Sequence, residues 1–163
     1  MTRGLLTGTF NPFSLGHLNF IERASTLCDE LFVGIAYNAA KVEQKWIEDK
    51  ELQKLISEYT HHLTMVKVQL YDTLTVDYAQ TIQAQFLIRA LRSQDDLYYE
   101  MQMAQMNRKL GNLETVFLLA DHAYMHISSS LIRELAQHGS DLKELVPQKI
   151  EEAIYKRLKV GKR

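Results

Sequence analysis

The sequence has a single cysteine, Cys28, in 163 residues. No disulfide can form within the chain, and the thiol is expected to be a buried apolar group in a reducing compartment. The six histidines, at 17, 61, 62, 122, 126 and 138, make no metal-ligand spacing with it or with one another, which argues against structural zinc. No apolar run approaches the ~20 residues of a membrane span. The opening MTRGLLTGTF lacks the apolar core and cleavage pattern of a secretory signal, so a cytoplasmic protein is expected. Excess charge is missing too, since nineteen basic and twenty acidic side chains leave a net charge of -1. Without a global field to grip nucleic acid, any anion site must be local. Low-complexity tracts, internal repeats and linkers are absent; the two prolines and seven glycines stand singly. The 46% hydrophobic and 24% charged composition suits one domain spanning 1–163.

What is present is a regular alternation. Extended, β-prone runs fall at 4–8 (GLLTG), 30–37 (ELFVGIAY), 62–71 (HLTMVKVQLY), 85–91 (QFLIRAL) and 115–120 (TVFLLA). Helix-like segments separate them at 16–28, 48–60, 74–84 and 95–110, and two more, 129–138 and 147–158, follow the last strand. Strands alternating with helices of this length predict βαβ units and an α/β fold: a Rossmann-like, doubly wound parallel sheet with helices on both faces. The helices from about 129 onward are expected to complete the same domain, with Pro147 in the first turn of the last one. In such sheets ligands bind beyond the carboxyl ends of the strands, near the point where strand order reverses. The unusual polar residues should therefore sit in the loops after 4–8, 30–37, 85–91 and 115–120.

Four clusters fall there. The first is TGTFNPFSLGH, 7–17. Gly8 permits close approach of the backbone, Thr9 offers a hydroxyl, Pro12 stiffens the turn, and His17 lies in the first turn of a helix whose start favours phosphate. The same residues also suit a plain strand–turn–helix corner in which His17 only caps. The spacing is neither that of a Walker loop nor that of a dinucleotide GxGxxG. The second is AYNAAK, 36–41, ending in Lys41, either a point charge for a substrate phosphate or a solvated lysine. The third is IRALRSQDDLYYEMQMAQMNRKL, 88–110. Arg89 and Arg92 could clamp phosphates there or pair with Asp95 and Asp96, and the stripe Met101, Met103, Met106 reads as packing or a subunit face. The fourth is YMHISSSLIRE, 124–134, where Ser128, Ser129 and Ser130 open a helix as an anion cradle or as simple caps.

The first cluster resembles the T/HxGH signature of the nucleotidyltransferase superfamily, with Thr9 as its T and Gly16-His17 as its GH. The tighter pattern GTFDPxxxGH is that of the bacterial phosphopantetheine adenylyltransferases. The third cluster is similar to that family's IRGLRxxxDFEYEMQMAxMN run, and the fourth to its ISSS/TxxR signature. The four blocks arrive in the family's order from about residue 4 to about 147, while 42–72 matches poorly. Several positions depart from the pattern. Asn11 stands for aspartate, Ala39-Ala40 for a proline-containing loop, Ala90 for glycine and Leu97 for phenylalanine. Thr75, in the stretch that falls where the family receives the pantetheine arm, stands for a residue that is often apolar there.

The resemblance implies transfer of the adenylyl group of ATP to 4′-phosphopantetheine, giving dephospho-coenzyme A and pyrophosphate, with magnesium carried on ATP and a homohexamer as the assembly. It implies His17 as the transition-state stabiliser, with Lys41 and Arg92 beside it in the catalytic set. Thr9, Lys41, Thr75 and Arg89 would meet 4′-phosphopantetheine. Thr9, Phe10, His17, Ala90, Leu91, Arg92 and Glu100 would meet ATP, together with Tyr124, Met125, His126, Ile127, Ser128, Ser129 and Ser130. Coenzyme A is a candidate inhibitor; nucleic acid and membrane are not expected partners. Two rivals stand beside this reading. One is a related nucleotidyltransferase with another phosphorylated acceptor, such as nicotinamide mononucleotide. The other is a weakly active relative that binds coenzyme A or nucleotide. The implied chemistry needs no triad, and none is visible, because the acceptor is already an anionic phosphate.

Overall fold

Alternation of side chains along the strands decides which way each element faces. The computed structural model describes residues 1–37 and 45–158. Its strands are β1 (Arg3–Gly8), β2 (Glu30–Ala36), β3 (Val66–Tyr71), β4 (Phe86–Leu91) and β5 (Glu114–Leu119). Its helices are α1 (Leu15–Ala24), α2 (Asp49–Tyr59), α3 (Thr75–Thr81), α4 (Gln94–Gly111), α5 (Ser129–Gln137) and α6 (Gln148–Leu158). The strands pair in parallel in the order β3-β2-β1-β4-β5. Along β1, Leu5 points to one face and Leu6 to the other; Phe32 and Val33 on β2, and Leu87 and Ile88 on β4, repeat the division. One face packs on α1, α2, α5 and α6 through Ile21, Leu52, Ile56, Ile132 and Ile150, all fully buried. The other packs on α3 through Val76 and Ala79, with α4 alongside, where a side chain at Gly111 would meet Val76. Each such fully buried aliphatic side chain contributes roughly 1.5–3 kcal/mol. The expected doubly wound α/β sheet is therefore the observed one.

Two boundaries differ from the sequence expectation by four residues, for identifiable reasons. The strand expected from 62 begins at Val66, because Leu63 and Val66 donate backwards to Thr60 and Leu63 and close a turn after α2. The first helix ends at Ala24 and continues as a 3-10 turn over Ser25–Leu27. There the hydroxyls of Ser25 and Thr26 bond back to the carbonyls of Glu22 and Arg23, a side-chain alternative to the helical ladder. Cys28, just beyond, is half-buried against the core, and burial raises its thiol pKa. Pro147 immediately precedes α6 and its carbonyl accepts from Glu151, so it opens that helix. No helix among the described residues is long and apolar enough to cross a membrane.

Strand order sets the position of the site. From β1 the chain winds outward through β2 and β3, then returns to place β4 on the other side of β1. The loops leaving β1 and β4 diverge, and a crevice opens above their carboxyl ends.

Candidate active site

A cavity of about 470 Å³ fills that crevice. Its floor is the end of β1 and the loop after it, from Leu6 to Phe10, with Ala36 from β2 and Tyr71 from β3 on one side and Arg89 and Ala90 from β4 on the other. Asp96, Tyr99, Glu100, Met103 and Asn107 form the α4 wall, Arg92 lies in the loop between β4 and α4, and His17 of α1 and Ser129 of α5 complete the lining. Of the residues singled out in the sequence, Thr9, Phe10, His17, Thr75, Arg89, Ala90, Arg92, Glu100 and Ser129 meet here. Lys41 and the Ala39-Ala40 pair lie outside the described residues.

Ser14 caps α1 and accepts from the His17 backbone N–H at 3.2 Å, while the Ser14 N–H donates to His17 Nδ1 at 3.0 Å. A backbone N–H can only donate, so Nδ1 carries no proton and the neutral ring holds it on Nε2. Phe13 stacks on the ring at 5.8 Å between centroids and Phe10 meets it edge-on at 5.2 Å. This burial, with the Arg92 charge nearby, lowers the His17 pKa from 6.5 to about 4. His17 is therefore a neutral Nε2–H donor at pH 7. The Leu15 N–H goes to the Leu145 carbonyl, and the His17 N–H is held by Ser14. What α1 presents to the cavity is thus chiefly an aimed imidazole, where the sequence suggested a cradle of bare N–H groups.

Phe10, at φ 49°, is one of three non-glycine residues in the left-handed region among those described, and its ring lies over Gly8, where a Cβ would approach it to 3.2 Å. Asn11 turns away from the cavity. Its Oδ1 accepts from the backbone N–H groups of Trp46 and Ile47, and its Nδ2 donates to the Ile47 carbonyl at 2.7 Å. Asparagine thus shapes the loop as an aspartate could, and adds a donor that a carboxylate lacks.

Neither arginine is free. Arg89 donates to both oxygens of the buried Glu100, and Arg92 pairs with Asp96 through Nε at 3.1 Å. The pairing left open in the sequence is thus met by Asp96 for Arg92, while Arg89 takes Glu100, eleven positions along on α4. Burial works against the Arg89 charge, but the hydrogen bonds and charge of Glu100 outweigh it and raise the pKa. Two arginines and two carboxylates cancel in the described lining. Among the described residues, attraction for anions then comes from oriented donors and from Arg92, whose weaker, more exposed partnership is the easier to exchange.

At α5, Ser128 is the cap and accepts from the Leu131 N–H. The first-turn N–H groups of Ser129 and Ser130 have no carbonyl one turn earlier to accept them, and Ser129 reaches the cavity wall. Leu91, Tyr124, Met125, His126, Ile127, Ser128 and Ser130 are not among the lining residues. Leu91 and Ile127 are core residues and Met125 is exposed. Tyr124 instead covers Gly16, with its Cβ 3.5 Å from where a side chain would begin.

The sequence reading missed Thr7, Tyr71, Asp96, Tyr99 and Asn107 as lining residues. Tyr71 stacks on Tyr78 at 4.4 Å and its hydroxyl meets Thr75 Oγ1 at 3.1 Å. Its place at the end of β3 was a usable signal. Thr7 offered none, because its partner Arg89 is 82 positions away.

The chain matches the cytidylyltransferase-like family model over residues 5–135. It is 39% identical over 156 residues to a phosphopantetheine adenylyltransferase of Lachnoclostridium phytofermentans, covering 95% of this chain and 94% of that one. Identity to the phosphopantetheine adenylyltransferase of Finegoldia magna is 40% over 157 residues, covering 96% of each. Among solved structures, one assigned as a nicotinate-nucleotide adenylyltransferase of Vibrio parahaemolyticus superposes with a TM-score of 0.68 at 16% identity, covering 96% and 93% of the two chains; it speaks for the fold alone. With the predicted sheet, the crevice and near-full-length similarity in agreement, this chain belongs to the cytidylyltransferase-like family, among the phosphopantetheine adenylyltransferases.

Proposed function

We propose that the protein transfers the adenylyl group of ATP to the phosphate of 4′-phosphopantetheine, releasing pyrophosphate and forming dephospho-coenzyme A. The observation that carries this reading is the convergence of His17, Arg89, Arg92 and Ser129 on one cavity at the switch point of the sheet. An acceptor phosphate oxygen attacks the α-phosphorus of ATP; that P–O bond forms as the bond to the β-phosphate bridging oxygen breaks. The nucleophile is already anionic, so the protein's work is alignment and charge stabilisation. His17 Nε2–H donates to the α-phosphoryl oxygens as charge builds, Thr9 and Arg89 orient the acceptor, and Arg92 and the α5 start hold the outer phosphates. Thr75 and Tyr71 flank the acceptor's arm.

Both described carboxylates of the lining are paired with arginine, which suits a magnesium ion carried by the triphosphate and its waters rather than a resident one. Bound with ATP, the ion neutralises phosphate charge. A homohexamer is part of the proposal, supported by Met101 and Met106, which are 45 and 50% exposed on α4, and so are a cytoplasmic setting and inhibition by coenzyme A.

Pyrophosphate release measured with 4′-phosphopantetheine and with nicotinamide mononucleotide tests the reading. The first alone should support turnover, and His17→Ala should reduce it ~100-fold or more. Turnover with nicotinamide mononucleotide alone would reassign the acceptor, and tight coenzyme A binding without any pyrophosphate release would make the protein a binding relative.

A further inference from the structure

Arg89 is the most heavily engaged side chain of the cavity wall. Its Nε and Nη2 donate to Glu100 Oε2 and Oε1 at 2.8 and 2.6 Å. Its Nη1 donates to the Thr7 carbonyl at 2.7 Å and to Thr7 Oγ1 at 2.9 Å. A guanidinium has five N–H groups, so these four bonds leave one Nη2 N–H unassigned. Glu100 and Thr7 are only 8% and 9% exposed, so water competes little for these bonds.

Glu100 gives both oxygens to one guanidinium, and an unpaired carboxylate there would repel a triphosphate. Thr7 lies on β1 and Glu100 on α4, so the guanidinium plane is gripped from two elements at once. A group fixed in this way meets an incoming phosphate without first losing rotamer freedom.

We propose that Thr7 and Glu100 are positioning residues for the phosphorylated acceptor: acting through Arg89, they fix its guanidinium so that its remaining N–H meets the acceptor's phosphate. This rests on the adenylyltransferase reading, in which Arg89 serves the acceptor. It adds an acceptor-side role to Glu100, which resemblance put at the nucleotide.

Initial rates of pyrophosphate release by the full chain, each substrate varied with the other saturating, test the inference with Thr7→Val, Thr7→Ser and Glu100→Gln. Thr7→Val keeps the shape and removes the Oγ1 acceptor, whereas Glu100→Gln removes the charge and one of two accepting oxygens. The KM for 4′-phosphopantetheine should rise ~10-fold in Glu100→Gln and ~3-fold in Thr7→Val, with the KM for ATP changed less than ~2-fold in Thr7→Val. Thr7→Ser should restore the wild-type KM. Should Glu100→Gln fail to fold, the Thr7 pair decides. A raised KM for ATP with the acceptor KM unchanged would overturn the inference, as would unshifted variants of an active enzyme. A wild-type protein inactive with 4′-phosphopantetheine would instead overturn the parent reading, and the inference with it.

Discussion

Arg133 and Asn11, 122 positions apart, are joined by a hydrogen bond of 3.2 Å from Arg133 Nη1 to the Asn11 carbonyl. The bond ties the first turns of α5 to the loop that leads into α1, so the two helix starts facing the cavity are held in register. Arg133→Met keeps the length and apolar stem of the side chain and removes the donor. The expected result is a ~3- to 10-fold rise in the KM for ATP, with a stability loss of about 1 kcal/mol. Steady-state kinetics beside urea unfolding checks it; an unchanged KM would mean the two loops hold their places without the tie.

His17 should titrate in the free protein near pH 4, with its proton on Nε2 until then. Its folded pKa lies below the ordinary value of 6.5, so the unfolded chain takes up the proton first as pH falls. His17 therefore contributes stability that is complete above about pH 6.5 and is lost as the pH drops toward 4. Nitrogen-15 NMR of the imidazole reads both tautomer and midpoint. A midpoint near 6.5 would contradict the half-buried, Ser14-bonded ring.

Removing the Asn11 side chain leaves the Trp46 and Ile47 N–H groups and the Ile47 carbonyl without their partner. Asn11→Ala should cost about 1–3 kcal/mol, read as a lower urea midpoint at unchanged slope. Asn11→Asp should fall between Ala and wild type, since it keeps the acceptor and loses the donor.

A methyl group at Gly8 would stand 3.2 to 3.3 Å from the Phe10 ring. Phe10 cannot yield easily, being 5% exposed and at φ 49°, and its ring edge supports His17. Gly8→Ala should cost about 1–3 kcal/mol and lower kcat ~10-fold. An unchanged kcat would show that the Phe10 ring does not set the aim of His17.

Element type was legible along most of the described chain because the apolar spacing of each segment reports which face it buries. Leu5 and Leu6 already imply two sides of a sheet. Boundaries slipped at 62–65 and 25–28, where backward hydrogen bonds from a turn or a hydroxyl, invisible to periodicity, end the element. In the site, residues adjacent to glycine turns and helix starts were readable from local chemistry, as with Thr9, His17 and Ser129. Thr7 was not, since its partner Arg89 is 82 positions away.

The sequence by itself determined the alternation of strands and helices, the loops in which polar chemistry gathers, and the family. Only the tertiary structure decided which polar groups are occupied. It set His17 as a neutral Nε2 donor, gave Arg89 to Glu100 and Thr7, and turned Asn11 toward Ile47. Periodicity and caps depend on neighbours within a turn or a strand, which the sequence lists in order. Hydrogen-bond partners and burial depend on which distant segments the sheet brings together, and here the parallel order β3-β2-β1-β4-β5 made those choices.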